Sequence, residues 1–265
     1  MNAPVRLNIL PEQFGFRNGD KGVHTSRTMM LVELETLLAA LPPEAVRTQY
    51  QDAVLQENLL GKGTASARFY AAQKLASLYA LAPDVTLFRL LRMFWDADPE
   101  GRPMLALLCA CARDPVLRCT ADTVLSLPVG APLSKERLSG VLQTFSPGHL
   151  APITIASTVR NVSSSWTQSG HLKGKTGKMR SSPQPSVGAT AYALVMGYLC
   201  GARGQFLFST LWARMLDRPE PMLRELAQRA SQRGWLRYRS IGEVTDITFD
   251  EVLTETERGA LSEPT

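Results

Sequence analysis

Apolar residues recur along most of this chain at three- and four-residue spacing, the mark of a helix face, and each stretch is closed by Pro, Gly or a hydroxyl residue. Met29, Met30, Leu34, Leu37, Leu38 and Leu41 predict a helix over 25–40, with Thr25 or Ser26 as its cap. Pro42 and Pro43 end it and open the next, where Val46, Tyr50, Val54 and Leu55 share one stripe. Gly61 and Gly63 break the chain before a third helix, which carries Phe69, Ala72, Leu75, Ala76 and Tyr79 and is capped by Thr64 or Ser66. A fourth starts at Asp84 with Leu87, Leu90, Leu91, Phe94 and Trp95, and two more cover 103–112 and 114–127. Residues 25–130 therefore read as an all-helical bundle with short connections. Residues 1–24, with three glycines and two prolines, read as an irregular arm.

The pattern changes after that. A helix near Ser134 carries Leu138, Val141, Leu142 and Phe145; beyond a proline-bounded break, 153–168 predicts another, ended by Gly170. His171-Leu172-Lys173 and Lys178-Met179-Arg180 flank Gly174-Lys175-Thr176-Gly177, which is strand, turn, strand. Two helices and a two-stranded wing make residues 131–186 a winged helix-turn-helix-like unit. Past a Ser/Pro linker the order returns over 187–253. Helices cover 189–200 and 209–216, and a turn at Asp217-Arg218-Pro219 leads to a helix over 220–233. One side of that helix carries Met222, Leu223, Leu226, Ala227 and Ala230; the other carries Arg224, Gln228, Arg229, Gln232 and Arg233. A hairpin from 235–239 and 244–249 follows, with a turn over 240–243, and 254–265 reads as a flexible, acidic tail. The fold class is mainly α, with two small β-hairpins.

Length and composition are ordinary: 265 residues, 45% hydrophobic, room for two domains or three small ones. No apolar run approaches a membrane span and the first residues lack the pattern of a signal peptide, so a cytoplasmic protein without membrane contact is expected. Charge changes the picture more. Residues 137–216 contain no Asp or Glu and eight cations, namely Arg137, Arg160, Lys173, Lys175, Lys178, Arg180, Arg203 and Arg214. The flanking segments hold 14 basic against 14 acidic residues and 7 against 10, so this block supplies the whole net charge of +5. An acid-free surface does not repel a polyanion, and double-stranded DNA is the partner it suggests. The plainer reading is a Ser/Thr/Gly-rich connector that happens to lack acids.

Candidate chemistry narrows to binding. Gly174-Lys175-Thr176 is not a P-loop: Gly170 is one residue out of register and no buried strand precedes it. His24, His149 and His171 have no triad or metal-site setting, and Cys109, Cys111, Cys119 and Cys200 show no CxxC spacing. Asp96 and Asp98 sit at a helix end, where carboxylates cap or solubilise. No enzymatic activity, cofactor, metal or small-molecule substrate is expected. Lys173, Lys175, Lys178 and Arg180 would meet phosphates as a wing, while Arg160, Asn161 and Ser164 face the duplex from the preceding helix. Arg224, Arg229, Arg233, Arg237 and Arg239 form either a second DNA-facing unit or a protein-binding surface.

The run Asn58-Leu59-Leu60-Gly61-Lys62-Gly63-Thr64 and the following Arg68 resemble the N-terminal signature of BrxA-type proteins of bacteriophage-exclusion (BREX) defence systems, Asn-x-Leu-x-Lys-x-Thr ahead of a helix with an early Arg. The helices over 104–113 and 114–125, and 157–170 with Leu172, are similar to later parts of that family. The likeness covers roughly residues 45–185, with Gly63 standing where a basic residue is usual. It implies a NusB-like helical bundle joined to winged-helix elements, and DNA binding in phage defence. Lys62 and Arg68 then make a secondary patch, and other BREX components are potential partners. An adaptor docking defence proteins, and an RNA-binding antitermination-like protein, are the alternatives.

Overall fold

The protein is described by a computed structural model covering residues 9–146, 151–242 and 244–262. The expectations for residues 1–8, the proline break over 147–150 with His149, Glu243 and residues 263–265 lie outside it. It is mainly helical, with two small antiparallel hairpins.

The first half holds α1 (Leu31–Ala40), α2 (Arg47–Leu55), α3 (Ala65–Tyr79), α4 (Thr86–Ala97), α5 (Arg102–Arg113), α6 (Pro115–Arg118) and α7 (Ala121–Leu125). Thr64 caps α3, its Oγ1 accepting from Ala67 N–H at 3.1 Å. α5 is buried from Met104 to Arg113. Two helices differ from their pattern. α1 starts at Leu31 instead of 25 or 26, because Val23–Thr25 is a 3-10 turn and Met30 turns left-handed at φ 54°. Met29 N–H, which a longer helix would engage, donates to Ser165 Oγ at 2.8 Å. The expected helix over 114–127 is two short ones, since Thr120 bonds back to Leu117 O and accepts from Trp166 Nε1 at 2.9 Å.

The second half begins with α8 (Lys135–Phe145), capped by Ser134, and α9 (Pro152–Gln168). β1 (Leu172–Lys173) pairs with β2 (Met179–Arg180). Residues 130–133 lie along the other edge of β2, with Leu133 N–H donating to Lys178 O and Arg180 N–H to Ala131 O, both at 2.8 Å. The hairpin is therefore anchored at the start of α8. α10 (Val187–Leu199), a 3-10 segment (Gly204–Ser209), α11 (Leu211–Arg214) and α12 (Glu220–Gln232) lead to β3 (Arg237–Ile241) and β4 (Val244–Thr248), which pair antiparallel.

α10 is buried on almost every side and packs against α4 and α5 as well as α11 and α12. Its N-terminus sits on Asp98, whose Oδ2 accepts from Gly188 N–H at 2.6 Å. One hydrophobic cluster consequently runs from Phe14 to Leu253. The irregular segment after residue 9 is part of it, with Phe14, Phe16 and Val23 buried. The flexible tail is corrected over 255–262: α13 (Glu255–Ser262) is the last described element. Thr254 and Glu257 exchange reciprocal hydrogen bonds, a capping box, and Glu257 pairs with Arg89 of α4 at 2.5 Å. Among the described residues no helix is long and apolar enough to cross a membrane.

Candidate nucleic-acid interface

α8, α9 and the first hairpin enclose a cleft of about 460 Å3. Ser134 Oγ caps α8 by accepting from Arg137 N–H at 3.1 Å, which sets Lys135 on the cleft wall. α9 presents Arg160 and Ser164 from the opposite wall, with Val159 beneath them, because Ile155, Val162 and Trp166 take its other face into the core. The turn supplies Lys175 and Lys178. Gly174 makes this turn possible: its φ is 102°, and a Cβ there would lie 2.2 Å from Gly177 O. Lys178 Nζ donates to Gly174 O at 2.7 Å, which braces the tip. Arg160, Lys173 and Lys175 are exposed, and among the described residues they make no ion pair and no carboxylate lines the cleft. Lys135 was missed by charge reading because Glu136 follows it; the Ser134 cap is the signal that would have found it.

Three other cations of the acid-free block are already engaged. Arg180 is corrected from a phosphate contact to a structural residue. It is 1% exposed, pairs with Asp217 Oδ1 at 2.6 Å, and donates to His171 O and Ser181 O. Side chains alternate along a strand, and Arg180, the register partner of buried Leu172, takes the core-facing side of the hairpin while Lys173 and Met179 take the other. Arg214 pairs with Asp122 at 2.5 Å, and Arg203 stacks on Tyr198, 3.8 Å from the ring centroid. Asn161 is also corrected: its Nδ2 donates to His24 O at 2.9 Å, so it ties α9 to the N-terminal segment instead of facing the cleft.

The secondary patch is held in place by its own motif. Asn58 adopts φ 52° and its Oδ1 accepts from Lys62 N–H at 2.8 Å, while Lys62 Nζ pairs with Glu33 at 3.0 Å. Arg68 is half-buried. In the second unit, Arg224 pairs with Glu220 at 2.6 Å, donates to Thr245 Oγ1 and stacks on Phe208. Arg233 covers Trp235, and Arg237 approaches Glu251 at 3.5 Å. Arg229 and Arg239 are exposed.

A buried polar chain had no signal in the sequence. Asp114 Oδ2 lies 2.7 Å from His24 Nδ1, and His24 Nε2 lies 2.9 Å from Ser165 Oγ. These are the distances of a nucleophilic triad, but the three residues are fully buried and Ser165 Oγ is occupied by Met29 N–H and Asn161 O. No substrate carbonyl can reach it. Asp114 accepts from Val23, His24, Val116 and Leu117 N–H as well. Burial works against its charge, but the His24 partner and these amides outweigh it and lower its pKa. His171 is buried and held down to about 4 by desolvation, its Nε2–H donating to Met215 O. Burial pushes Cys109 and Cys200 up to about 11 and Cys119 to about 12, the reverse of a reactive thiol. Among the described residues no three His, Cys, Asp or Glu gather as a metal site would require.

The chain matches no protein-family model and no curated protein.

Proposed function

We propose that this chain is a non-enzymatic, cytoplasmic protein that binds double-stranded DNA through the α8–α9–hairpin cleft, as an accessory part of a BREX-like anti-phage system. The observation that carries the reading is the acid-free wall of Lys135, Arg160, Lys175 and Lys178. Four cations in a lining without carboxylates suit a run of phosphates, and the contacts carry little sequence information. The order of residues 130–133, α8, α9, β1 and β2, with the first segment paired onto β2, supports a winged helix-turn-helix reading. In such a unit the second helix and the wing flank one groove. The likeness to BrxA-type proteins over residues 45–185 supports the defence role and a NusB-like bundle. In the second unit, Arg224, Arg233 and Arg237 are already engaged, which suits a surface for other defence components better than a second DNA face.

A gel shift with duplex DNA at near-physiological salt, competed with unlabelled duplex or structured RNA, tests this. Duplex DNA is expected to shift and to compete better than RNA. An adaptor would give no shift, and an RNA-binding protein would release duplex to the RNA competitor; either outcome removes the proposal.

A further inference from the structure

The first half of the molecule carries a second basic cleft, remote in sequence from both hairpin units. It lies between the segment after Gly15, α2 and α3, encloses about 470 Å3, and is walled by Arg17, Arg47, Lys74, Gln51, Gln73 and Phe69. Among the described residues no carboxylate lines it. Arg47 and Lys74 make no ion pair or hydrogen bond among the described residues, and Arg17 spends one guanidinium nitrogen on Ser77 Oγ at 2.9 Å. Arg17 is fixed from below: its N–H donates to Ala112 O, and its carbonyl accepts from Arg118 at 2.8 Å.

Positive charge also lies behind the wall. Arg113 is 7% exposed and bonds to neutral carbonyls, those of Ser77 and Gly15, with no carboxylate partner among the described residues. Burial, joined by the like charges of Arg17 and Arg47, holds its pKa below the ordinary value. Folded protein rarely concentrates cations this way without acids, and a bound anion relieves the repulsion.

The rim carries the second feature. Phe69 is 54% and Tyr70 50% exposed, packed edge-on with ring centroids 5.7 Å apart. An exposed aromatic face beside cations is the arrangement that stacks a nucleobase while its phosphate is held, and a Gln amide can donate to and accept from a base edge. A bare phosphate site has no use for Phe69; a duplex, with its bases already stacked, has none either.

We propose that this cleft binds a nucleotide unit, its phosphate among Arg17, Arg47 and Lys74 and its base on Phe69. The unit is either a free nucleotide or one nucleotide of a single strand.

The test uses the full chain carrying Lys173→Ala, Lys175→Ala and Lys178→Ala, which silences the wing and keeps the two sites separable. Binding of a labelled oligothymidylate is followed by anisotropy, with ATP and inorganic tripolyphosphate as competitors. Phe69→Ala, and separately Arg47→Ala with Lys74→Ala, are each expected to weaken binding by about tenfold, the order of one lost base stack. Both sets change surface side chains, so thermal melting should stay unchanged. ATP competing as well as the oligonucleotide identifies a free nucleotide; the oligonucleotide alone binding well identifies a strand. No binding of either probe, tripolyphosphate competing as well as ATP, or unaltered affinity in Phe69→Ala overturns the proposal. Duplex binding by the unmodified wing is scored independently, so either reading can fail alone.

Discussion

Asp114 ties three parts of the molecule together: one carboxylate accepts from the N-terminal segment, from His24 and from the first turn of α6. Removing it leaves several buried donors unsatisfied, so Asp114→Ala is expected to cost about 3–5 kcal/mol in a urea titration. Ser165→Ala removes one hydroxyl from the same chain and should cost about 1–3 kcal/mol. A surface-like loss below 0.5 kcal/mol for Asp114→Ala, on the order of ordinary exposed positions, would mean the chain does not hold the arm. His171 gives a pH signature. Unfolded, it gains a proton below its ordinary 6.5; folded, it resists until about 4. The unfolded state therefore binds more protons in that window, and stability is full above it and falls as pH falls through it. The loss amounts to about 3 kcal/mol across the window. Asp114 adds its own loss only lower, through the carboxylate range. Urea midpoints measured down the pH scale should flatten between pH 6.5 and 4 in His171→Gln; a wild-type slope retained in the variant would assign the effect elsewhere. The Asp114–His24–Ser165 chain could not be picked from sequence, because its links join residues 90 and 141 positions apart. Arg180 shows the same limit: its charge was legible, but its direction depended on Asp217, the first acid after the acid-free block.

Local signals carried the elements well. Thr64, Ser134 and Ser186 cap their helices through hydroxyls, and Gly170 and Gly234 end theirs left-handed. The elements that differ were reshaped by contacts at long range. α1 lost its first turn to Ser165, and the helix after Asp114 broke where Trp166 claims Thr120. α13 is the opposite case. Thr254-Glu255-Thr256-Glu257 is a capping box in plain sight, outweighed by the polar composition of the tail. The first hairpin makes the strongest prediction at this scale. Gly174→Ala places a Cβ against Gly177 O at a φ of 102°, a local strain of about 1–3 kcal/mol. Since the tip is exposed and the hairpin short, the melting midpoint should move by only a few degrees while duplex affinity drops severalfold. Unchanged affinity with an altered hairpin would detach the wing from binding.

Across the whole molecule, α10 is the element that turns two sequence patterns into one packed body, since it buries against α4 and α5 on one side and α11 and α12 on the other. Its near-continuous apolar run announced burial but not its neighbours. The acid-free block was legible as composition; its division was not. Arg180, Arg203 and Arg214 are spent on structure, and the charge left free converges on α8, α9 and the hairpin, with Lys135 added from outside the block. That convergence is the central claim, and salt dependence tests it most directly. Anisotropy of a labelled duplex, plotted as log affinity against log salt, should give a slope of about −4 for the wild-type chain, from about four or five phosphate contacts. The variant carrying Lys173→Ala, Lys175→Ala and Lys178→Ala should flatten it by about 2–3. A wild-type slope near zero, or the same slope in the variant, would contradict a DNA-binding wing.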